Sequence, residues 1–156
     1  MERRSIVTVA AAVLALLATA CGGPDSGGAL QPPGATDVSP AGDAEQVDVL
    51  LMEWAVAADP ASAEARHVTF RVANEGTQDH EFVILVTDLP PDELPTTEEA
   101  VVDTAADGVE QRSELEAFPP GESATLTVTL DPGSHVLICN LPGHYQLGMR
   151  AAFTVR

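Results

Sequence analysis

The sequence predicts an all-β fold, a Greek-key β-sandwich or barrel. Short runs of alternating or β-branched apolar residues recur along the chain, and each has the length of a strand. Turn signals separate these runs: Asn74-Glu75-Gly76, Pro119-Pro120-Gly121, Asp131-Pro132-Gly133 and Pro142-Gly143. Several short strands divided in this way are typical of sandwiches and barrels.

Residues 1–20 are predicted to be a signal peptide. Arg3 and Arg4 precede an apolar run, 6–18, that suits a signal-peptide core and is too short to span a bilayer comfortably. The small residues before Cys21 resemble a bacterial lipoprotein cleavage site, although Ala18 stands where leucine is usual. Lipidation of Cys21 would anchor the protein to the cell membrane, and ordinary secretion is the alternative. Both routes place the domain outside the cytoplasm.

Residues 21–45 are predicted to be a flexible tether. This stretch is rich in glycine and proline, carries scattered acids and has too few apolar groups to bury. The remainder, residues 46–156, is long enough for one domain with a single core.

The predicted strands of this domain are, in order, residues 46–54, 66–73, 80–87, 123–130, 135–139 and 149–156. Alternation is clearest in the second, where Val68, Phe70 and Val72 share one face. The strand at 123–130 alternates in the same way and presents its threonines on the outer face. Each of these two strands is therefore predicted to have one buried face.

An acidic insertion, residues 88–118, separates two of the predicted strands and carries ten acidic residues against one arginine. Thr96 and Glu99 have the spacing of a helix capping box, and an apolar stripe follows within 101–109. A short helix is therefore predicted in the insertion, with a long irregular loop as the alternative. Its acids are interpreted as a solvated excursion.

The composition is acidic throughout, with 24 acidic residues against 7 arginines, no lysine and a formal net charge of −17. Nucleic acid is excluded as a partner because neutralising phosphates requires a basic face. The negative charge keeps the protein soluble or steers a basic redox partner.

The residues that carry chemistry are concentrated near the end of the chain, where Cys139, His144 and Met149 occupy one stretch of eleven residues. His80, lying 59 positions before Cys139, completes a mononuclear copper site. A thiolate, two imidazoles and a weak thioether are the ligands of a type 1 centre, because soft sulfur favours Cu(I) while nitrogen also holds Cu(II). The sequence therefore predicts one bound copper ion.

Counting cysteines and histidines narrows the type of site. If Cys21 is lipidated, Cys139 has no disulfide partner, and copper ligation explains a lone thiol outside the cytoplasm. One cysteine in the domain excludes a thiolate-bridged dinuclear centre, and four histidines without a His-x-His pair exclude a trinuclear cluster. His135 shares a strand face with Cys139 but lies roughly 13 Å along the strand, too far to be a ligand.

Two segments resemble the cupredoxins, the small blue copper proteins of the plastocyanin, azurin and auracyanin kind. They are 74–82, Asn-Glu-Gly-Thr-Gln-Asp-His-Glu-Phe, and 139–149, Cys-Asn-Leu-Pro-Gly-His-Tyr-Gln-Leu-Gly-Met. The resemblance covers residues 46–156 and implies a cupredoxin domain with ligands in the family order. It also implies that Asn74 and Asn140 tie the two ligand loops together by hydrogen bonds.

An apolar rim around His144 is expected from the neighbouring residue types: Leu141, Pro142, Tyr145 and Leu147. Such a rim would let a redox partner dock close to the metal, or would close one end of the barrel.

The leading hypothesis is an extracytoplasmic, membrane-tethered type 1 copper protein that carries single electrons between a donor and an acceptor protein. It is predicted to be monomeric and not an enzyme, because a four-ligand site leaves no open position for a substrate. The alternative is a copper protein for storage, delivery or resistance, although the chain has no Met-rich or His-rich tract. A metal-free β-sandwich used for adhesion or as an accessory subunit is the third interpretation.

Overall fold

The structure, a computed structural model, describes residues 44–64 and 66–156. The predicted signal peptide, the predicted lipidation site Cys21 and residues 21–43 of the predicted tether lie outside these residues. The described part contains nine strands and one short helix. Their bounds are β1 Glu45–Met52, β2 Ala55–Asp59, β3 Ser62–Ala63, β4 His67–Asn74, β5 His80–Val86, β6 Glu110–Phe118, β7 Ser123–Thr129, β8 Gly133–Ile138, α1 His144–Leu147 and β9 Arg150–Val155.

The strands form two sheets, one in the order β2-β1-β4-β7 and the other in the order β3-β9-β8-β5-β6. Most neighbours are antiparallel, whereas β1 runs parallel to β4 and β3 runs parallel to β9. The predicted all-β sandwich is confirmed. Strands β2 and β3 were not predicted from the sequence, and neither was β6, whose residues had been assigned to the acidic insertion.

The main core lies between the two sheets. Val68, Phe70 and Val72 of β4 are fully buried there, on the face that their alternation predicted. The Phe70 ring lies with its centroid 5.5 Å from that of Phe82 and 5.3 Å from that of Phe153, which belong to the opposite sheet. Aromatic contacts of this kind join the two layers at the centre of the sandwich.

A second apolar cluster lies on the other face of the five-stranded sheet. There Val83 and Leu85 of β5 and Val136 and Ile138 of β8 are buried under residues of the segment 88–109. We call residues 88–109 the covering segment. Because β5 and β8 are covered on both faces, each contains an uninterrupted run of buried apolar residues, 82–85 in β5 and 136–138 in β8.

The short helix predicted in the acidic insertion is wrong. The covering segment consists of turns and one isolated bridge between Thr96 and Val102, and residues from Glu110 onward form β6. Three prolines, at 90, 91 and 95, disfavour a helix over its first half. Leu94, Val102 and Val109 are each buried against the sheet. The segment is therefore a packed cover whose acids face outward, and not a solvated excursion.

Among the described residues, the four-residue α1 is the one α-helix, and no helix there has the length and hydrophobicity needed to cross a membrane.

Candidate metal centre

The predicted ligands lie at the ends of adjacent strands. His80 begins β5, Cys139 follows the last residue of β8, and Met149 directly precedes β9. Because β8 is antiparallel to both β5 and β9, the end of β8 lies beside the beginnings of the other two. His144 begins α1 in the connection between β8 and β9. The topology thus brings His80 and Cys139, which are 59 positions apart in the sequence, to the same end of the sheet.

Three donor atoms converge at this end of the sheet. The Sγ atom of Cys139 lies 3.3 Å from Nδ1 of His144 and 3.9 Å from Nδ1 of His80, and the two Nδ1 atoms are 3.3 Å apart. His80 and Cys139 are buried, and His144 is half-buried. One thiol and two imidazole nitrogens at these separations are suited to hold a single metal ion.

Met149 is fully buried beside this group. Its backbone carbonyl accepts a hydrogen bond from the Cys139 N–H at 3.1 Å, and its own N–H donates to the carbonyl of His144 at 3.1 Å. The backbone from residue 139 to 149 therefore closes into a compact loop. The ligand role of all four residues remains a prediction.

The ligand loop packs against the turn between β1 and β2. Gly148 has a φ of +125°, and a Cβ atom at this position would lie 2.8 Å from the carbonyl oxygen of Trp54. A side chain is therefore excluded both by the backbone conformation and by the close approach. The glycine lets α1 lie directly against this turn.

The two asparagines act differently from what the resemblance implied. The buried Asn74 donates to the carbonyls of Gln78 and Phe118 and accepts from the N–H of Gly76, so it orders its own loop and joins that loop to the end of β6. The side chain of Asn140 pairs with the backbone of Val102 in the covering segment. Neither asparagine joins one ligand loop to the other through these side-chain contacts.

A backbone contact joins the two ligand segments. The N–H of Glu81, next to His80, lies 3.4 Å from Sγ of Cys139. Donation of this kind orients a cysteine sulfur and withdraws some of its charge.

The predicted apolar rim is present in part. Leu147 is 55% exposed, Pro142 is exposed and Leu141 is half-buried against the main core. Tyr145 does not belong to this rim. Its side chain is buried in the second apolar cluster, and its hydroxyl accepts a hydrogen bond from the N–H of Leu94. On the four-residue α1, Tyr145 points toward the sheet while Leu147 points away from it.

Two residues that contact the histidines were not found from the sequence, and they are neighbours in the turn between β1 and β2. Trp54 is 37% exposed, and its ring stands edge-on to His144 with centroids 5.0 Å apart. The carboxylate of Glu53 lies 3.1 Å from Nε2 of His80. Each of the two histidines therefore contacts one residue of this turn. No spacing in the sequence indicates these contacts.

The electrostatics of the pocket favour neutral ligands. Burial raises the pKa of the Cys139 thiol, although the N–H groups of Leu141 and Glu81 act in the opposite direction. Burial lowers the pKa of His144, and the nearby His80 lowers it further. Neutral imidazole is the form that binds metals, and a buried thiolate requires a compensating cation. The donor set therefore fits a metal ion.

Comparison with solved structures identifies similar folds. The auracyanin of the photosynthetic bacterium Roseiflexus castenholzii is 23% identical with a TM-score of 0.52, covering 72% of this chain and 98% of that chain. Auracyanin B is 24% identical with a TM-score of 0.52, covering 72% and 89%. Auracyanin A of Chloroflexus aurantiacus, described as a "blue" copper protein, is 19% identical with a TM-score of 0.50, covering 71% and 98%. The domain thus has the β-sandwich fold of these cupredoxins.

The sequence matches no protein-family model and no curated protein.

Proposed function

We propose that this protein is an extracytoplasmic type 1 copper protein that carries single electrons between redox partner proteins. The observation that carries the proposal is the convergence of Cys139 Sγ with Nδ1 of His80 and Nδ1 of His144 in a mostly buried pocket. A bound copper ion would supply a one-electron Cu(I)/Cu(II) couple. One soft sulfur with two imidazoles is the donor set of such centres.

Met149 is proposed as the fourth residue that would hold the copper ion, through a weak thioether contact. It is fully buried, and its backbone is hydrogen-bonded to both Cys139 and His144. A weakly bound thioether is the usual fourth ligand beside one cysteine and two histidines.

The positions of the proposed ligands on the sheet support a site that rearranges little. His80 is held in β5, and Cys139 and Met149 are linked by a backbone hydrogen bond between the end of β8 and the start of β9. Ligands fixed in this way need little rearrangement when the charge of the centre changes, which favours fast electron exchange. A full set of protein ligands also leaves no position for a substrate, so we propose a carrier rather than an enzyme.

His144 is the proposed point at which electrons enter and leave. It is half-buried, whereas His80, Cys139 and Met149 are fully buried. The exposed side chains of Trp54 and Leu147 lie on the same turn and helix that surround it. An apolar patch with one ligand edge at its centre supports close docking of a partner, which excludes water from the contact.

The proposals on localisation and assembly rest on the sequence alone. We propose that residues 1–20 direct export, that Cys21 carries the lipid anchor, and that residues 21–45 tether a monomeric domain, residues 46–156, at the membrane surface. Secretion without lipid is the alternative.

The test is to load the full-length protein with Cu(II) and record its visible absorption and electron paramagnetic resonance spectra. The proposal expects an intense thiolate-to-copper band and a narrow copper hyperfine splitting. Cys139→Ser should abolish the band, because no thiolate remains among the described residues. The matched control Cys21→Ser should leave it unchanged.

A weak band with an ordinary copper spectrum, or an intense band that survives Cys139→Ser, would contradict the proposal. Transfer of the copper ion to an apo-acceptor, without net electron transfer, would favour storage or delivery instead.

A further inference from the structure

Glu53 contacts the imidazole of His80 on the side away from the metal pocket. Oε1 of Glu53 lies 3.1 Å from Nε2 of His80, while Nδ1 of the same ring is 3.3 Å from Nδ1 of His144. His80 has no exposed surface, so this carboxylate replaces water as the partner of Nε2. The ring therefore faces an anion on one side and the converging donors on the other.

The contact determines the tautomer of His80. An ionised carboxylate only accepts hydrogen bonds, so Nε2 must carry the proton. Nδ1 then has a free lone pair directed at Cys139 and His144. A carboxylate that accepts from the second nitrogen of a ligand histidine orients the ring and increases the basicity of the coordinating nitrogen.

Glu53 is itself held in place by the loop that leads to His80. Its Oε1 accepts hydrogen bonds from the N–H of Thr77 at 2.8 Å and from the N–H of Gln78 at 3.0 Å. The carboxylate thus accepts hydrogen bonds from Thr77, Gln78 and His80. The Glu53 side chain is 20% exposed. Such an arrangement positions a charged oxygen more firmly than a single contact with His80 would.

Gly76 provides the space for this arrangement. A Cβ atom at this position would lie 2.6 Å from Oε1 of Glu53 and 2.7 Å from Nε2 of His80. Any side chain there would push the two groups apart. The absence of a side chain at Gly76 is therefore a second, independent feature that the contact requires.

We propose that Glu53 is a positioning residue of the metal centre, which holds His80 in its Nε2–H tautomer and lowers the reduction potential of the bound copper. This inference rests on the proposed function. The effect on the potential follows because a nearby negative charge stabilises Cu(II) more than Cu(I). The charge acts through the imidazole, without contact between Glu53 and the metal.

Three variants separate the hydrogen bond from the charge. Glu53→Gln keeps an oxygen that accepts from Nε2 but removes the charge, whereas Glu53→Ala removes both. Gly76→Ala displaces the pair without changing either residue. Glu75→Gln is the matched control, because it removes an exposed carboxylate from the loop between β4 and β5 that leads to His80.

The tautomer is measured in the copper-free full-length protein, from the ¹⁵N chemical shifts of the His80 ring. We expect the Nε2–H form in the wild-type protein, in Glu53→Gln and in the control. Glu53→Ala and Gly76→Ala should show an increased share of the Nδ1–H form. A wild-type ring protonated at Nδ1, or a tautomer that is the same in all variants, would overturn the inference.

The reduction potential is measured by spectroelectrochemistry of the copper-loaded proteins. Glu53→Gln and Glu53→Ala should raise it, and Glu75→Gln should not. Loss of this kind of contact typically weakens metal binding about 10- to 100-fold. If a tenfold loss falls on Cu(II) alone, the potential of this one-electron couple rises by about 59 mV.

The outcomes distinguish the two proposals. A wild-type protein without the thiolate-to-copper band would refute the proposed function, and the tautomer experiment would still test the contact. A wild-type protein with the band, in which the Glu53 variants have the same potential as Glu75→Gln, would refute the role of Glu53 alone.

Discussion

His135 is the second buried histidine of the described domain, and its environment differs from that of His80. Its Nδ1 atom pairs with the carbonyl of Gly133 at 3.2 Å, while Nε2 is buried without a hydrogen-bond partner among the described residues. Burial lowers the pKa of His135, and the charge of Arg112 acts in the same direction, whereas the hydrogen bond to Gly133 and the charge of Asp131 oppose this shift. The folded domain therefore favours the neutral ring.

This residue should make stability depend on pH. The unfolded chain binds a proton at this histidine below its ordinary pKa of about 6.5, whereas the folded state resists protonation until a lower pH. Stability is therefore lost as the pH falls below about 6.5. We expect His135→Gln to reduce the fall in unfolding free energy between pH 7.5 and pH 5, measured by urea denaturation.

The exposed His67 offers the matched control for that prediction. His67→Gln should keep the pH dependence of the wild-type protein, because this side chain lies at the surface and not in the core. Equal slopes for wild type and His135→Gln would show that His135 does not contribute.

Among the structural elements, the covering segment departs most from the sequence-based prediction. It buries Leu94, Val102 and Val109 against β5 and β8, and it also contacts Tyr145 and Asn140 of the ligand loop. The cover therefore supports both the sheet and the loop that carries His144.

Truncating the apolar anchor of this cover should destabilise the domain. We expect Leu94→Ala to lower the unfolding free energy by about 2 kcal/mol or more, since the substitution leaves a cavity beneath the segment. Chemical denaturation of the full-length protein measures the change.

Leu89→Ala is the control within the same segment, because this leucine is 37% exposed. Its effect should stay within about 0.5 kcal/mol. Similar losses for both variants would mean that the segment does not depend on Leu94 for its attachment.

Across the whole molecule, metal binding should be coupled to folding. His80 lies on β5, and the other proposed ligands lie between β8 and β9, so they approach one another only in the folded domain. A ligand that binds only the folded state stabilises it by about 2.7 kcal/mol at a free concentration 100 times its Kd.

Copper should therefore raise the unfolding temperature of the full-length protein, followed by circular dichroism. Because the chain has a net charge of −17, copper bound to surface acids is a competing cause of any shift. Cys139→Ser distinguishes copper bound at the proposed site from copper bound to the surface acids, because it removes only the former. A shift of the same size in this variant would assign the stabilisation to the surface acids.

The sequence by itself determined the features that depend on local pattern. The alternation of Val68, Phe70 and Val72 predicted a buried strand face, because side chains of a strand point alternately to its two sides. The order and spacing of Cys139, His144 and Met149 indicated candidate ligands within one loop. Both signals are contained in a few consecutive residues.

Only the tertiary structure decided the contacts between distant segments. The pairing of Glu53 with His80 and of Trp54 with His144, the inward orientation of Tyr145 and the packing of the covering segment all depend on which strands become neighbours. The acids of residues 88–118 obscured both β6 and the buried anchors. The covering segment consists of turns, so its buried residues recur at no constant spacing. Local periodicity records the burial of a face but does not identify the residues that pack against it.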